Sequence, residues 1–141
     1  MRKCLFLLLV FAMTLPLWPQ EDPSSYIGRT LDELIRLFGP PRSVHPVRGM
    51  EEWQDDVIFV YNEVEFYIYR DRVWQAGLKA ARGFKEGDTL EKVSATLGSK
   101  AQRRGDSLFL SIDEASCPMM LRCDFDKDGR LKVLFIYRTD L

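Results

Sequence analysis

The chain has one histidine, His45, and three cysteines among 141 residues, with 20 basic and 21 acidic side chains. A lone histidine with no cysteine near it leaves no cluster at metal-ligand spacing. Near-neutral charge supplies no electrostatic reason to bind nucleic acid or anionic lipid. No glycine-rich phosphate loop is present, and the glycines that recur stand at helix ends. No nucleophile motif accompanies His45. The sequence therefore makes no positive case for an enzyme, a metal or another cofactor.

An apolar run of the roughly 20 residues needed to span a bilayer is also missing. Instead Arg2-Lys3 precede fourteen mostly apolar residues, Leu5 to Trp18, which fits the hydrophobic region of a secretory signal. Leu17-Trp18-Pro19-Gln20 lacks the small residues of a cleavage site. Two fates stay open for residues 1–20: cleavage near Gln20, or retention as a membrane anchor. Export follows from either, to the periplasm or envelope. Cleavage would move the net charge from −1 to −3. Residues 21–141 then form one domain with room for a real core.

That domain would keep two cysteines. Cys117 to Phe125 reads as one strand, in which Cys117 and Cys123 stand about 20 Å apart, far beyond the reach of a disulfide. Two core thiols are expected rather than a bridge. Pro118 is the one signal that favours a turn.

What the chain does have is one phrase written twice. In Gly28 to Gly39, Thr30 is placed as N-cap and Glu33 as its capping-box partner. Leu31, Leu34, Ile35 and Phe38 make an apolar stripe at helical spacing, and Pro40-Pro41 forbid continuation. Gly87 to Gly98 repeats the pattern at an offset of 59, with Thr89 for Thr30, Leu90 for Leu31 and Leu97 for Phe38. Helices are expected at roughly 30–38 and 89–97, opening repeats 26–82 and 83–141.

Each helix leads into strand composition. In the first repeat these are Trp53–Tyr61, Val64–Tyr69 and Arg72–Leu78, after an irregular or edge segment from Arg42 to Met50. In the second they are Ser107–Ile112, Cys117–Phe125 and Leu131–Tyr137, after a polar connection from Ser99 to Asp106. The expected architecture is α+β, two tandem α-β-β-β repeats in one antiparallel sheet with both helices on one face.

Asp124, Asp126, Asp128 and Gly129 match the first half of a calcium loop, but Phe135 stands where a bidentate glutamate is needed. Asp-Gly between two apolar runs reads instead as a hairpin turn. His45, followed by Pro46, reads as a loop histidine. Glu51-Glu52 and Asp55-Asp56 read as solvated carboxylates at the start of a strand.

Aromatic residues are the better lead. Alternation puts Val64, Phe66 and Ile68 on one face and Tyr67 and Tyr69 on the other. The same rule groups Trp74 with Ala76 and Leu78. The face away from the helices should carry some of Tyr67, Tyr69, Trp74, Leu134 and Ile136, with Tyr67 and Trp74 well exposed. Trp53, Tyr67, Tyr69 and Trp74 are thus the candidate partner-binding residues.

The phrase Gly28-x-Thr30-x-x-Glu33-Leu34-x-x-x-Phe38-Gly39-x-Pro41, then Trp53, Val64-x-Phe66 and Val73, resembles the small outer-membrane-assembly lipoproteins of the SmpA/OmlA type. Two such units in tandem resemble the β-lactamase-inhibitor-protein fold. The resemblance implies a bacterial envelope protein that works by binding another envelope or secreted protein, with no nucleic acid and with membrane contact only through a retained N-terminal segment. The lipoproteins carry a cysteine just after the apolar run, whereas Cys4 lies before it. Alternatives from other classes are an inhibitor of a secreted hydrolase and a hydrolase built on His45.

Overall fold

The computed structural model describes residues 22–51, 56–113 and 117–141, so the leader reading of residues 1–20 and the role given to Trp53 lie outside it. The first helix, α1, is Leu31–Phe38, and both halves of its capping box are made. Thr30 Oγ1 accepts from the Glu33 amide at 3.3 Å, and Glu33 Oε2 accepts from the Thr30 amide at 2.7 Å. The second helix, α2, is Leu90–Leu97, with Thr89 accepting from the Lys92 amide. Both helices stop at glycines of nearly one conformation, φ 74° and ψ −167° at Gly39, φ 75° and ψ −168° at Gly98. Side-chain-bearing residues are almost barred from that region. Tyr61 donates its hydroxyl to the Gly39 carbonyl at 3.0 Å and so ties the first of these ends to the sheet.

The strands are β1 (Ser43–Val47), β2 (Asp56–Val60), β3 (Val64–Tyr69), β4 (Arg72–Leu78), β5 (Ala80–Ala81), β6 (Phe84–Lys85), β7 (Gln102–Arg104), β8 (Ser107–Ile112), β9 (Met119–Phe125) and β10 (Leu131–Arg138). Eight of them form one antiparallel sheet in the order β1-β2-β3-β4-β10-β9-β8-β7. Each helix is therefore followed by four strands of this sheet rather than the three expected. The additions are β1, where an irregular or edge segment was expected, and β7, where a polar connection was. Both are edge strands, and an edge tolerates a residue such as Pro46 that a central strand would not. His45 accordingly lies in a strand and not a loop.

Short contacts hold each helix start against the sheet. The Gly28 amide donates to the Val73 carbonyl and the Gly87 amide to the Leu131 carbonyl, both at 2.8 Å. Arg72 reaches the Gly28 carbonyl at 2.8 Å and Arg130 the Gly87 carbonyl at 3.3 Å. Between the halves, β5 and β6 form a hairpin that turns at Arg82 and Gly83, both at positive φ.

One core lies under both helices. Leu34 of α1 and Val93 of α2 are fully buried in the same cluster as Phe66, Leu121, Leu134 and Ile136. Phe38 packs at 5.3 Å from both Tyr26 and Phe66, ring contacts of the kind that add about 1 kcal/mol each beyond burial. Ile35 is a correction: it is 45% exposed, because it stands about 100° round the helix from Leu34. Leu134 and Ile136 also join this core, not the opposite face.

Cys117 precedes β9, which begins at Met119, and both Cys117 and Cys123 are free thiols packed on the core. Burial, with Asp124 beside it, pushes the Cys123 thiol up to about 12. The turn before β10 is held by its own aspartate: Asp126 Oδ1 accepts from the amides of Asp128 and Arg130, each at 2.9 Å. Gly129 takes φ 69° there, as the hairpin reading requires.

Candidate functional site

The sheet has a second face, away from the helices, and strand register assigns its residues. On β3 it carries Tyr67 and Tyr69, since Val64, Phe66 and Ile68 all enter the core. On β10 it carries Phe135 and Tyr137, the neighbours of buried Leu134 and Ile136. On β8 it carries Phe109, the neighbour of Leu108. All five aromatic side chains are half-buried, so each shows part of its ring to solvent.

Trp74 reaches this face by a bulge. Tyr67 pairs with Gln75, but the next pair is Ile68 with Val73, so β4 holds one residue more than β3 at this point. The inserted residue breaks the alternation that grouped Trp74 with Ala76 and Leu78. Val73 takes the core position, and Trp74 lies edge-on to Tyr67 at 6.4 Å. Its expected exposure is overturned: only 8% of Trp74 is accessible. Ile58, directly across the ladder from Tyr67, is also buried outside the main core. The second face thus has a small apolar seat of its own.

Phe135 extends the aromatic row, 6.2 Å from Tyr67. Gly77, its cross-strand partner, has no side chain, and a Cβ there would stand 3.1 Å from the Phe135 ring. Further along, Phe109 lies beneath two guanidinium groups, Arg104 at 5.3 Å and Arg122 at 6.0 Å. Arg122 is in turn anchored to Asp124 at 2.7 Å. The face runs from tyrosine and tryptophan on β3 and β4, through Phe135 and Tyr137, to an arginine-capped phenylalanine on β8.

Tyr69 stands at the end of β3 with the Arg70 guanidinium 5.1 Å from its ring, beyond the row. Tyr67 and Trp74 are therefore brought together, and Tyr69 borders them. Phe135, Tyr137 and Phe109 are site residues beyond those expected; alternation does set Phe109 opposite Leu108, Leu110 and Ile112, but on β10 it gives nothing. The signal was weak because Val133 to Tyr137 is apolar in both phases, so period alone cannot say which half points to the core.

A cleft of about 850 Å³ lies on the helix side, between the end of α1, the start of α2 and the β5–β6 hairpin. Tyr26, Phe38, Val64, Leu78 and Phe84 line it. Two carboxylates at its rim are engaged. Although partial burial opposes it, hydrogen bonds from Ser24 and the Arg82 charge hold Asp22 below the usual range. A bond from Lys92, 2.8 Å away, does the same for Asp88. His45 lies outside this cleft, on edge strand β1, with Nε2 3.0 Å from Ser43 Oγ.

No protein-family model matches the chain, and no curated protein does. Two solved structures are similar to it. One is an extracellular protein containing an SCP domain from Bacillus anthracis, with TM-score 0.57 and 17% identity over 86% of this chain and 47% of that one. The chain thus spans about half the length of that protein, and the likeness is one of fold. The other is a DUF4309 family protein, YjgB, from Bacillus subtilis, with TM-score 0.45 and 16% identity over 78% of each chain. Among the described residues no helix is long and apolar enough to cross a membrane.

Proposed function

We propose that this is an exported, non-enzymatic protein-binding module, built from two copies of one helix-plus-four-strand unit, whose open sheet face receives the partner. Several matched details favour two copies. The helix ends share one backbone conformation, and Thr30 bridges Arg72 as Thr89 bridges Arg130. The strand order also reads inward from both edges in the same sequence, β1 to β4 and β7 to β10.

The observation that carries the function is the aromatic row Tyr67–Phe135–Tyr137, continued by Phe109 under its arginines. A solvated sheet face is normally polar, whereas aromatic and arginine side chains are the usual anchors of protein recognition. The Ser43–His45 pair stands outside the cleft, on edge strand β1 where His45 is exposed to water, which favours binding over catalysis. The resemblance to the SmpA/OmlA lipoproteins points the same way, toward a partner in the bacterial envelope.

The test compares affinity capture from a cell-envelope extract by wild type and by the Tyr67→Ala/Phe135→Ala double variant. The variant should keep its melting temperature within a few degrees yet lose the captured protein. Equal capture by both would remove the sheet face from the reading.

A further inference from the structure

The helix-side cleft lies at the joint between the two halves of the chain, where the β5–β6 hairpin links them. At about 850 Å³ it falls within the range of ligand pockets. Its floor is aromatic: Phe38 meets Tyr26 at 5.3 Å, and Phe84 of β6 adds a third ring. Its rim is charged but balanced. Asp22, Glu63 and Asp88 stand there with Arg82, Lys85 and Lys92, three of each sign. Two of the acids are already engaged, Asp22 by Arg82 at 3.4 Å and Asp88 by Lys92 at 2.8 Å. A ligand with net charge gains little from such a rim and gives up its water to enter. The cleft therefore suits an uncharged, apolar body.

One wall also offers main-chain hydrogen bonds. Ala81 and Phe84 pair across the two-residue turn, and the Glu86 amide bonds the Lys79 carbonyl at 2.7 Å. The pair between them, Ala80 with Lys85, is thus the wide one, and its amides and carbonyls point outward. The Lys85 amide is taken by the Asp88 carboxylate at 2.8 Å. Ala80 is exposed and lines the cleft, and its outward amide and carbonyl have no partner among the described residues. With only methyl groups at Ala80 and Ala81, another main chain can come close.

We propose that this cleft binds a short, uncharged stretch of polypeptide, its apolar side chains against the rings and one of its peptide groups paired with Ala80. A peptide is favoured over other apolar molecules because it carries both the donor and the acceptor that an outward strand residue asks for. The cleft lies across the sheet from the aromatic face, so it stands independently of the reading of that face.

The probe is the tetrapeptide serine–phenylalanine–leucine–serine, acetylated and amidated, titrated against the full chain and followed by backbone amide shifts. Shifts should gather at the cleft, in residues 22–26 and 78–85. A control with serines in place of phenylalanine and leucine should bind about tenfold or more weakly. An ester in place of the phenylalanine–leucine amide should weaken binding by about fivefold. Aspartates or lysines at the two ends should leave affinity unchanged or lower it, whichever the sign. Ala80→Trp, a change at an exposed position, should abolish binding, and Phe135→Ala should leave it unchanged. The proposal fails if the tetrapeptide does not bind, if the shifts fall elsewhere, or if the ester binds as well as the amide. Clearly tighter binding by either charged peptide, or retained binding in folded Ala80→Trp, would also overturn it. Should that variant unfold, the shift map and the peptide series decide.

Discussion

Trp74 sits where one inserted residue carries an indole from one sheet face to the other. It is the floor beneath the half-buried Tyr67, so its loss should register in stability. Trp74→Ala should cost about 3–5 kcal/mol, as for other buried large aromatics, read as a lowered denaturation midpoint. Tyr67→Ala, which removes a partly solvated ring, should cost clearly less. Similar costs for the two would mean that both rings serve as structure and neither is free for a partner. At this scale the sequence is informative only where alternation is unbroken. Tyr67 could be placed opposite Phe66 because Val64 to Tyr69 keeps strict period two. Trp74 could not be placed, since a bulge depends on how the partner strand meets it and leaves no local mark in Arg72–Leu78.

Elements were legible where their signals are local. Thr30, Glu33 and the glycine after Phe38 are instructions that a short segment carries out on itself, and α1 and α2 begin and end where those residues say. β1 and β7 were not legible as strands, because an exposed edge strand needs neither alternation nor apolar residues to exist; its neighbour supplies the hydrogen bonds. The caps also have a pH signature. The Thr30 amide, bonded to the Glu33 carboxylate, holds that group below its ordinary value of 4.5. The lowered value means that the cap stabilises the fold in full above the ordinary carboxylate range. That contribution is lost as pH falls from there through the folded value. Wild type should therefore lose melting temperature between about pH 5 and pH 3, and Glu33→Gln should lose less over the same interval. Parallel curves for the two would show that Glu33 adds nothing through its charge.

At the scale of the molecule the decisive feature is that both helices bury their central residues in one core. Leu34→Ala removes a fully buried side chain from the first half, and Leu121→Ala one from the second. Each should cost about 3 kcal/mol, and each should shift a single transition seen alike by circular dichroism and by tryptophan fluorescence. Two separated transitions would show instead that the halves fold on their own. A doubled phrase was visible in the sequence, but not how its copies would be joined. No residue of Arg72–Leu78 or Leu131–Arg138 marks these strands as each other's neighbours.

That joint has a consequence for the order of events in a growing chain. The middle of the sheet is a ladder between Gln75–Leu78 and Leu134–Tyr137, so the central seam is sewn only after the whole of the second half down to β10 has followed β4 out of the ribosome. Until then β4, apolar and destined for the interior, has a bare margin. Non-local pairings of this kind close slowly because the intervening loop must first be gathered in. The most vulnerable moment for this protein comes when the first half is complete and the strand that will shield it has not yet been made.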